Sequence, residues 1–591
     1  MANNKKFIAK NGVSTGDGFS LPSARPSTLF DFSNGKNIDP RLDFTRGSVA
    51  TYYDGYTKIL SEENLFAYSE DFDQWTDFNA AVVDDDQVAP DGTTTAASVT
   101  PSNASNYVRR AWADIVTETQ YTLSVYLKAP SATTVTLKAN EGDDTFTTTS
   151  CSVTTSWQRF SVTLTTATSV TFAKLDIVGT NGEEYYVWGA QAERDSTPRV
   201  YTKTTGQFER RYQPVLQTAL ANVARIDHDP ATGECKGLRL EQQVVNHFEK
   251  TNPVLGSNDN EWSGGNATNA NYAVAPDGSK TAAYTYQSAS GNFRQAACSH
   301  GTQGSKTVTF SLYVKLVGAN CTGIRIYGLE SSANNRGDVT FNLVTGAVTA
   351  SSVGTFSDTS GYTEEIGNGW YRVYVTTTTD GSDANFTVNH RSSNTTDLDE
   401  SNSYLWWGLN VTVHPYGTSF IAADGSEVTR NNDVCKLTVP TYESDVIPFK
   451  DFSFVITYEN TPNSEAQANG RFACEFWSST GTTADRWLPY NLGGYQGFFM
   501  EAENVQQTSS SRAVVMTKGR TAVRIQRNNV ATSFNGEAVN VDTSCIIPKV
   551  DSLAIGSRAE SQQLDGTVYK LAIYNDAFDD ATIEQLAEIT V

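Results

Sequence analysis

The side chains that could do chemistry in this 591-residue chain are spread along it rather than clustered. Its five histidines stand far apart, and each is expected to be a surface or loop residue rather than a metal ligand. The seven cysteines form no CxxC pair, which predicts buried reduced thiols instead of a zinc site or a disulfide framework. The sequence contains no motif of a serine hydrolase, a zinc protease, a nucleotide-binding loop or an EF-hand.

Carboxylates are the remaining catalytic candidates, because two of them about 5 to 9.5 Å apart suffice for glycoside hydrolysis. The chain has 66 acidic residues, yet it lacks the Glu-x-Asp-x-x-Glu pattern typical of jelly rolls that cleave glycans. We therefore expect no enzyme and no cofactor. The acidity is interpreted as a source of solubility. An acidic loop that holds Ca²⁺ is the alternative, for which the sequence shows no ligand motif.

Aromatic side chains are the candidates for binding, because an indole or phenol face can stack against the C–H groups of a sugar ring. Trp487, Tyr490 and Tyr495 lie in a polar, Gly-rich stretch, where they form either an exposed glycan-binding patch or a local hydrophobic plug. Trp406 is a fourth candidate, since strand alternation places it on the opposite sheet face from Trp407. These four residues are the predicted glycan contacts.

The elements that must position these residues are β-strands. Apolar and polar residues alternate over four to eight positions in many segments, as in Tyr121 to Leu127 and Val308 to Val314. Gly-, Asn- and Asp-rich turns separate the segments, which predicts an all-β chain of tandem antiparallel β-sandwiches. The exception is residues 579–589, whose pattern predicts one short helix that Asp579 or Asp580 can cap.

An internal repeat organises the first two thirds of the chain. Four sequence blocks return in the same order, and the offset between copies grows from 186 to 219 residues. This predicts one sandwich module that is duplicated, with loop insertions in the second copy. Four tryptophans recur at matched positions and are expected to pack the cores: Trp157, Trp188, Trp370 and Trp407. Where the second copy has Trp406, the first has Val187.

These patterns divide the chain into five parts. The predicted parts are an N-terminal arm and lead-in (1–60), module copy 1 (61–205), a hairpin connector (206–239), module copy 2 (240–430) and a third sandwich of another type (431–591).

The duplicated module resembles one found in bacteriophage structural proteins and related to carbohydrate-binding sandwiches. The resemblance is carried by the segment Asn64 to Phe72, the turn Ala89 to Gly92, Trp157-Gln-Arg159 and Trp188-Gly-Ala-Gln191. With lead-in segments such as Leu42 to Tyr52, it covers about residues 40–425. The second copy departs from the pattern at its start, where Val245 to Phe248 lacks the Ser-Glu-Asp sequence.

The two ends of the chain carry resemblances of their own. Residues 450–591 are similar to the concanavalin A-like jelly rolls of lectins and laminin G domains, through Phe534 to Gly536, Leu553 to Ser557 and Gly566 to Tyr574. The opening Lys6 to Gly12 looks like the N-terminal segment of phage appendage proteins, which makes residues 1 to about 40 the expected arm that docks onto the particle. No metal ligands can be carried over from either resemblance.

Together the resemblances imply a phage virion appendage of the tail fibre, horn or capsid decoration type, which adheres to host-surface glycan. A purely structural capsid or tail component and a less favoured glycan-degrading tail enzyme are the alternatives. The expected partners are other virion proteins, host glycan and further copies of the chain. The formal charge of -22 disfavours a nucleic-acid partner, and no apolar run predicts membrane insertion. The N-terminus lacks a signal peptide, so synthesis in the host cytoplasm is expected.

Overall fold

The chain folds almost entirely into antiparallel β-strands. The computed structural model describes residues 25–33, 37–142, 145–253, 262–263, 267–289, 291, 293–299, 304–330, 334–438, 451–462, 470–478, 485–492, 495–513, 518–558 and 562–588. Every strand pair among them is antiparallel, and the strands form tandem two-sheet sandwiches. The predicted fold class is confirmed.

The first part of the chain builds three leading strands, one sandwich and a returning segment. The leading strands are β1 (Thr28–Asp31), β2 (Asp43–Thr45) and β3 (Ala50–Asn64). The sandwich contains a 3₁₀ turn (Phe72–Gln74) and the strands β4 (Thr76–Phe78), β5 (Ala80–Gln87), β6 (Ala96–Pro101), β7 (Tyr107–Trp112), β8 (Gln120–Lys128), β9 (Thr133–Glu141), β10 (Thr145–Val153), β11 (Gln158–Thr165), β12 (Ala173–Val178) and β13 (Tyr185–Glu193). The returning strands are β14 (Glu209–Ala219), β15 (Ile226–His228), β16 (Cys235–Leu240) and β17 (Val244–Asn246).

A second sandwich and a third follow. The second contains β18 (Trp262–Ser263), β19 (Ala267–Ala273), β20 (Ala282–Gln287), β21 (Arg294–Ser299), β22 (Thr307–Leu316), β23 (Gly323–Leu329), β24 (Arg336–Asn342), β25 (Val348–Val353), β26 (Ser357–Gly367), β27 (Trp370–Thr378), β28 (Asn385–Ser392), a 3₁₀ turn (Glu400–Asn402), β29 (Tyr404–Thr412) and β30 (Val428–Arg430). The last contains β31 (Val434–Thr438), β32 (Phe452–Asn460), β33 (Arg471–Phe472), β34 (Cys474–Trp477), β35 (Arg486–Leu492), β36 (Tyr495–Ala502), β37 (Val505–Ala513), β38 (Lys518–Ile525), β39 (Val530–Phe534), β40 (Asn540–Asp542), β41 (Ser552–Ile555), β42 (Ser557–Arg558), β43 (Gln562–Gln563), β44 (Gly566–Tyr574) and the helix α1 (Asp580–Ala587).

Module 1 (β4 to β13) and module 2 (β18 to β29) share one topology. The sheets of module 1 have the orders β11-β8-β13-β6-β5 and β10-β9-β12-β7-β4. Those of module 2 have the equivalent orders β27-β22-β29-β20-β19 and β24-β23-β28-β21-β18, with β26 and β25 added at the edges. Part of the insertion predicted in the second copy is thus a pair of strands.

Alternation along the central strands builds each core. In β8, Tyr121, Leu123, Val125 and Leu127 are fully buried between the sheets of module 1, and the intervening residues point to the outer face. The equivalent strand β22 buries its own alternate residues in module 2: Val308, Phe310, Leu312 and Val314. Each module therefore has a separate hydrophobic core of its own.

The third sandwich, called the base here, is assembled from three separated parts of the chain. It has two eight-stranded sheets, in which β1 and the hairpin β15–β16 pair with β44, while β2 pairs with β31. The turn at Gly237 needs glycine, because its φ is +90° and a Cβ would lie 2.3 Å from the carbonyl oxygen of Val568. This corrects two predicted parts. The lead-in within 1–60 and the connector 206–239 both contribute strands to the base; residues 1–24 of the proposed arm lie outside the described residues.

The two modules are inserted between these parts through paired strands. β3 and β14 form a long antiparallel ribbon, called the stalk here, that leads to module 1 and back. β17 and β30 close module 2 in the same way. Because each insertion begins and ends at adjacent strands, the base can remain one folded unit despite its interrupted sequence.

A buried ion cluster lies where the stalk, module 2 and base meet. Asp433 pairs with Arg46 at 3.0 Å and with Arg225 at 2.5 Å, and Glu241 pairs with Arg225 at 2.9 Å. Arg430 lies 3.6 Å from Glu241, and all five side chains are almost inaccessible to solvent. Burial alone would raise the pKa of Glu241, but the surrounding arginines hold that pKa well below its ordinary value. The cluster therefore ties three parts of the fold together.

The predicted helix is present as α1 at the end of the base. Asp579 caps it by accepting a hydrogen bond from the backbone N–H of Thr582 at 2.9 Å. Ile583 and Leu586 are fully buried against the outer face of the eight-stranded sheet that contains β38.

Candidate functional site

The structure changes the interpretation of two predicted glycan contacts. Trp406 is 0% exposed: it packs in the core of module 2 and donates its indole N–H to Thr285 Oγ1 at 2.8 Å. Trp487 is 1% exposed and packs in the core of the base. Both are corrected to core residues, since neither ring offers a face to a ligand. Tyr490 is partly buried and Tyr495 is 51% exposed. A binding role for these two tyrosines stays a prediction.

Strand alternation correctly placed Trp406 and Trp407 on opposite faces of the sheet. The prediction assigned the faces the wrong way round, because Trp406 lies in the core and Trp407 lies on the outer face. Val187, the counterpart of Trp406, also lies in the inner core, whereas Trp188 and Trp407 lie on the outer faces of their sheets. The recurring tryptophans therefore lie outside the sandwich cores: Trp370 and Trp407 pack against the stalk, whereas Trp157 and Trp188 pack on the outer face of module 1. The prediction for the histidines needs a similar correction in part, because His390 and His414 are buried.

The outer face of module 1 carries an aromatic cluster. Tyr126 of β8 lies directly across from Trp188 of β13, and their ring centroids are 5.4 Å apart. Tyr201 contacts the other side of Trp188, with a centroid distance of 4.7 Å. Trp157 packs against this cluster at the start of β11 and is half-buried. The chain thus sets two indoles and two phenols side by side on one sheet face.

Hydrogen bonds fix the aromatic rings in place. Trp188 donates its indole N–H to Thr95 Oγ1 at 2.9 Å, and Trp157 donates to the carbonyl oxygen of Val88 at 2.9 Å. The Tyr201 hydroxyl lies 2.5 Å from Ser69 Oγ and donates to Glu70 Oε1 at 3.0 Å. Rings that are held this way need little ordering when a ligand arrives.

Module 2 completes this face as one wall of a cleft. A cavity of about 820 Å³ lies between the aromatic cluster and the edge of module 2, which contributes Tyr284, Tyr286 and Glu400. The turn Ala89 to Gly92 closes one side, since a Cβ on Gly92 would lie 3.7 Å from the side chains of Asn320 and Ser401. The size is within the range of ligand pockets, about 300 to 1,000 Å³. We name this cavity the intermodule cleft.

Two carboxyl groups in the cleft are held in unusual surroundings. Burial raises the pKa of Glu70, although the ammonium of Lys203, 2.6 Å away, acts in the opposite direction. Burial also raises the pKa of Glu400, and the guanidinium of Arg159 opposes that rise from the other wall. Carboxylates and cationic side chains therefore line the walls of a cleft whose floor is aromatic. This arrangement suits a ligand that has hydroxyl groups and flat apolar faces.

The same constellation recurs on module 2. The Trp407 centroid lies 5.4 Å from Tyr313 and 4.7 Å from Phe420, which match the distances around Trp188. Arg372 donates to Ser311 Oγ at 2.9 Å, as Arg159 donates to Ser124 Oγ at 3.0 Å. Here, however, the stalk covers the face, and Trp370 is 1% exposed and donates to Gln213 Oε1 at 3.1 Å.

A signal for the site was present in the sequence. The outward residues of β8 are Thr122, Ser124, Tyr126 and Lys128, a polar set, whereas its inward residues are all apolar. An aromatic residue in a polar set lies on the outer face, so Tyr126 marked that face. Pairing Tyr126 with Trp188 across two strands required the register, which the sequence does not state.

In the described ranges, no three His, Cys, Asp or Glu side chains come together as a metal site would require. No helix of the described part of the chain combines the length and apolar character of a membrane span.

Comparison with known proteins gives likenesses of structure only. No protein-family model matches the chain, and no curated protein matches it. The CBM40 module of a Ruminococcus gnavus IT-sialidase, bound to alpha2,3 sialyllactose, is 14% identical, with a TM-score of 0.21, over 24% of this chain and 83% of its own. The CBM22 tandem of Paenibacillus barcinonensis Xyn10C is 12% identical, with a TM-score of 0.20, over 61% of this chain and 98% of its own. A CBM4 structure is 18% identical, with a TM-score of 0.18, over 23% and 95%. At these TM-scores the likenesses say nothing about what this chain binds.

Proposed function

We propose that this chain is a non-enzymatic structural protein of a bacteriophage particle, which adheres to a host surface by binding glycan in the intermodule cleft. The observation that carries glycan binding is the aromatic floor of the cleft, where the partly exposed rings of Tyr126, Trp157 and Tyr201 surround the buried Trp188. Flat rings that are already ordered, with charged and hydroxyl groups above them, match the alternating apolar faces and hydroxyl edges of a sugar. Placement in a virion is supported by the resemblance of residues 40–425 to phage structural proteins.

A purely structural role is the second candidate, and the module 2 face favours it. There the same aromatic constellation is covered by the stalk and serves packing alone. If the module 1 face only docked against module 2, the cleft would be a packing gap. The two candidates differ in whether the isolated chain binds glycan.

Trp157 is the residue with which to test glycan binding, because it is half-buried and its loss leaves the sandwich core intact. We expect Trp157→Ala to weaken binding of the full chain to host-surface glycan by about tenfold or more, as removal of a central aromatic contact does. Trp477→Ala is the matched control, since Trp477 is also partly exposed but lies in the base. The Trp477→Ala chain should bind glycan with the same affinity as its parent in isothermal titration calorimetry.

Two results would overturn glycan binding in the cleft: a full chain that binds no host glycan, or a Trp157→Ala chain that binds as well as its parent. Release of reducing ends from host polysaccharide would contradict the non-enzymatic part. Labelling the chain in electron micrographs of phage particles tests its place in a virion, and absence from the particle would overturn that part alone.

A further inference from the structure

The intermodule cleft is lined by equal numbers of acidic and basic side chains. The described residues that line it include four acids and four bases: Glu70, Asp91, Asp399 and Glu400, and Lys128, Arg159, Lys203 and Arg211. A cleft that recognises an anionic ligand is expected to have an excess of cations, because a buried negative charge without a partner is costly. This cleft has no such excess.

Most of these charges are already engaged within the protein. Lys203 pairs with Glu70 at 2.6 Å, and Arg211 pairs with Glu62 at 3.3 Å. Asp91 accepts the backbone N–H and the hydroxyl of Thr93, and Asp399 does the same with Ser401, which fixes both carboxylates in turns. Lys203 and Arg211 are therefore already paired with carboxylates, and the two aspartates add acceptor oxygens to the walls.

Arg159 lies over the aromatic floor, 5.4 Å from the ring centroid of Tyr126, and its guanidinium is held by hydrogen bonds within the protein. One terminal nitrogen donates to the carbonyl oxygen of Arg199, and the other donates to Ser124 Oγ at 3.0 Å. Arginine recognises carboxylates and sulfates through two parallel N–H donors, and these two bonds hold the plane of the guanidinium toward Arg199 and Ser124 and occupy two of its five donors. Its Nε is buried and has no hydrogen-bond partner among the described residues.

Lys128 and Glu400 face the cleft from opposite modules. The Lys128 ammonium lies 5.8 Å from the centroid of Trp157 and forms no ion pair with any residue that the structure describes. Glu400 reaches the cleft from module 2, where a hydrogen bond with Tyr284 and the guanidinium of Arg159 both oppose the rise in its pKa that burial causes. One acceptor and one donor on opposite walls suit a ligand that carries hydroxyl groups, which can donate to the carboxylate and accept from the ammonium.

We infer that the intermodule cleft takes an uncharged oligosaccharide bridging both modules, in preference to a glycan bearing carboxylate, phosphate or sulfate groups. This inference rests on the proposed glycan-binding function and specifies its ligand class. The net charge of -22 acts in the same direction, because it repels a polyanion before contact.

The experiment compares matched neutral and charged sugars on the full chain. The probes are oligosaccharides of glucose, mannose, xylose, galactose and N-acetylglucosamine, set beside the uronates of mannose and galactose and sulfated galactose oligomers. We expect at least one neutral oligomer to bind about tenfold or more tightly than its charged counterpart, with an affinity that changes less than about twofold between low and high salt. Tighter binding of a charged oligomer, weakened by salt, would overturn the inference and leave glycan binding standing. Binding of none of the probes or host glycans would overturn both.

The direction in which one substitution changes the binding affinity gives an independent test. For a neutral ligand, Glu400→Gln should weaken binding by about tenfold, because a charge-assisted acceptor becomes a neutral amide. For an anionic ligand the same change should strengthen binding, because it removes a repulsive charge. Glu249→Gln is the control, since Glu249 is an exposed acid of the module 2 segment outside the cleft. A Glu400→Gln chain that binds more tightly, with Glu249→Gln unchanged and both melting normally, would contradict the inference.

Discussion

The outer faces of modules 1 and 2 carry the same aromatic constellation, apart from Tyr201 in module 1 and Phe420 in module 2, but they meet different neighbours. In module 1 the cluster around Trp188 opens into a cleft of about 820 Å³ beside module 2. In module 2 the cluster around Trp407 is covered by Tyr53 and Leu216 of the stalk. The face proposed to bind glycan therefore differs from the packing face in the unit placed against it. Both modules have this face, and the position of the stalk determines which of the two is covered.

The largest effect is expected at the buried ion cluster, which joins the base to module 2 beside the stalk that covers the module 2 face. Asp433 is fully buried and contacts Arg46, Arg225 and Arg430. Removing one side of a buried ion pair costs about 3 to 5 kcal/mol, since the opposite charges stay buried without compensation. We expect Asp433→Ala to lower the free energy of unfolding by that amount, as measured in urea. Asp195→Ala removes its ion pairs with Arg199 and Lys280 at the module 1 side and should cost less, because Lys280 is 40% exposed and Arg199 keeps Glu193 as a partner. Equal losses in the free energy of unfolding would mean that the two junctions stabilise the fold to the same extent.

Trp157 and Trp370 occupy equivalent positions and make the sharpest paired test. Trp370 is enclosed by the stalk, so Trp370→Ala should lower the free energy of unfolding by about 3 to 5 kcal/mol and leave glycan affinity unchanged in the folded fraction. Trp157→Ala should cost about 1 kcal/mol or less, because its ring is half-buried, while affinity falls. Chemical unfolding and calorimetry on both variants measure the two effects. A similar stability loss in both would show that the module 1 face is also a packing face.

How far the sequence predicted the fold can be seen in β8 and in the base. Alternation in Tyr121 to Leu127 was enough to predict a strand with one buried face, and the repeated blocks were enough to predict a duplicated module. The assembly of the base was not predictable in this way. Thr28–Asp31 pairs with residues near the end of the chain, and no local pattern states which distant strand completes a sheet.

None of the four predicted glycan contacts, Trp406, Trp487, Tyr490 and Tyr495, lines the intermodule cleft, for a related reason. In β29, whose residues are buried on both faces, alternation separates two faces but does not say which one turns inward. Trp406 and Val187 differ greatly in size at equivalent positions, and both are in cores, because each sandwich adjusts its neighbours to fill the space. A cleft between two modules depends on their mutual placement, which follows from the stalk and the junction rather than from any motif.

The smallest effect comes from the one residue of the constellation that differs between copies, Tyr201 in module 1 and Phe420 in module 2. The Tyr201 hydroxyl bonds to Ser69 and Glu70 beside the cleft, whereas the Phe420 ring faces the stalk. We expect Tyr201→Phe to lower the free energy of unfolding by about 1 kcal/mol and to weaken glycan binding a few-fold, because Glu70 loses a donor that holds it in place.

The reciprocal change, Phe420→Tyr, tests the other side of the same difference. It would bury a hydroxyl among Tyr313 and Trp407, where the packing is apolar, and should cost about 1 to 3 kcal/mol without affecting glycan affinity. Thermal unfolding and calorimetry of the two single variants distinguish the faces: a hydroxyl should help where the face is open to ligand and harm where it is covered. If Phe420→Tyr were neutral, the module 2 face would have room for water, and the contrast between a binding face and a packing face would be one of degree.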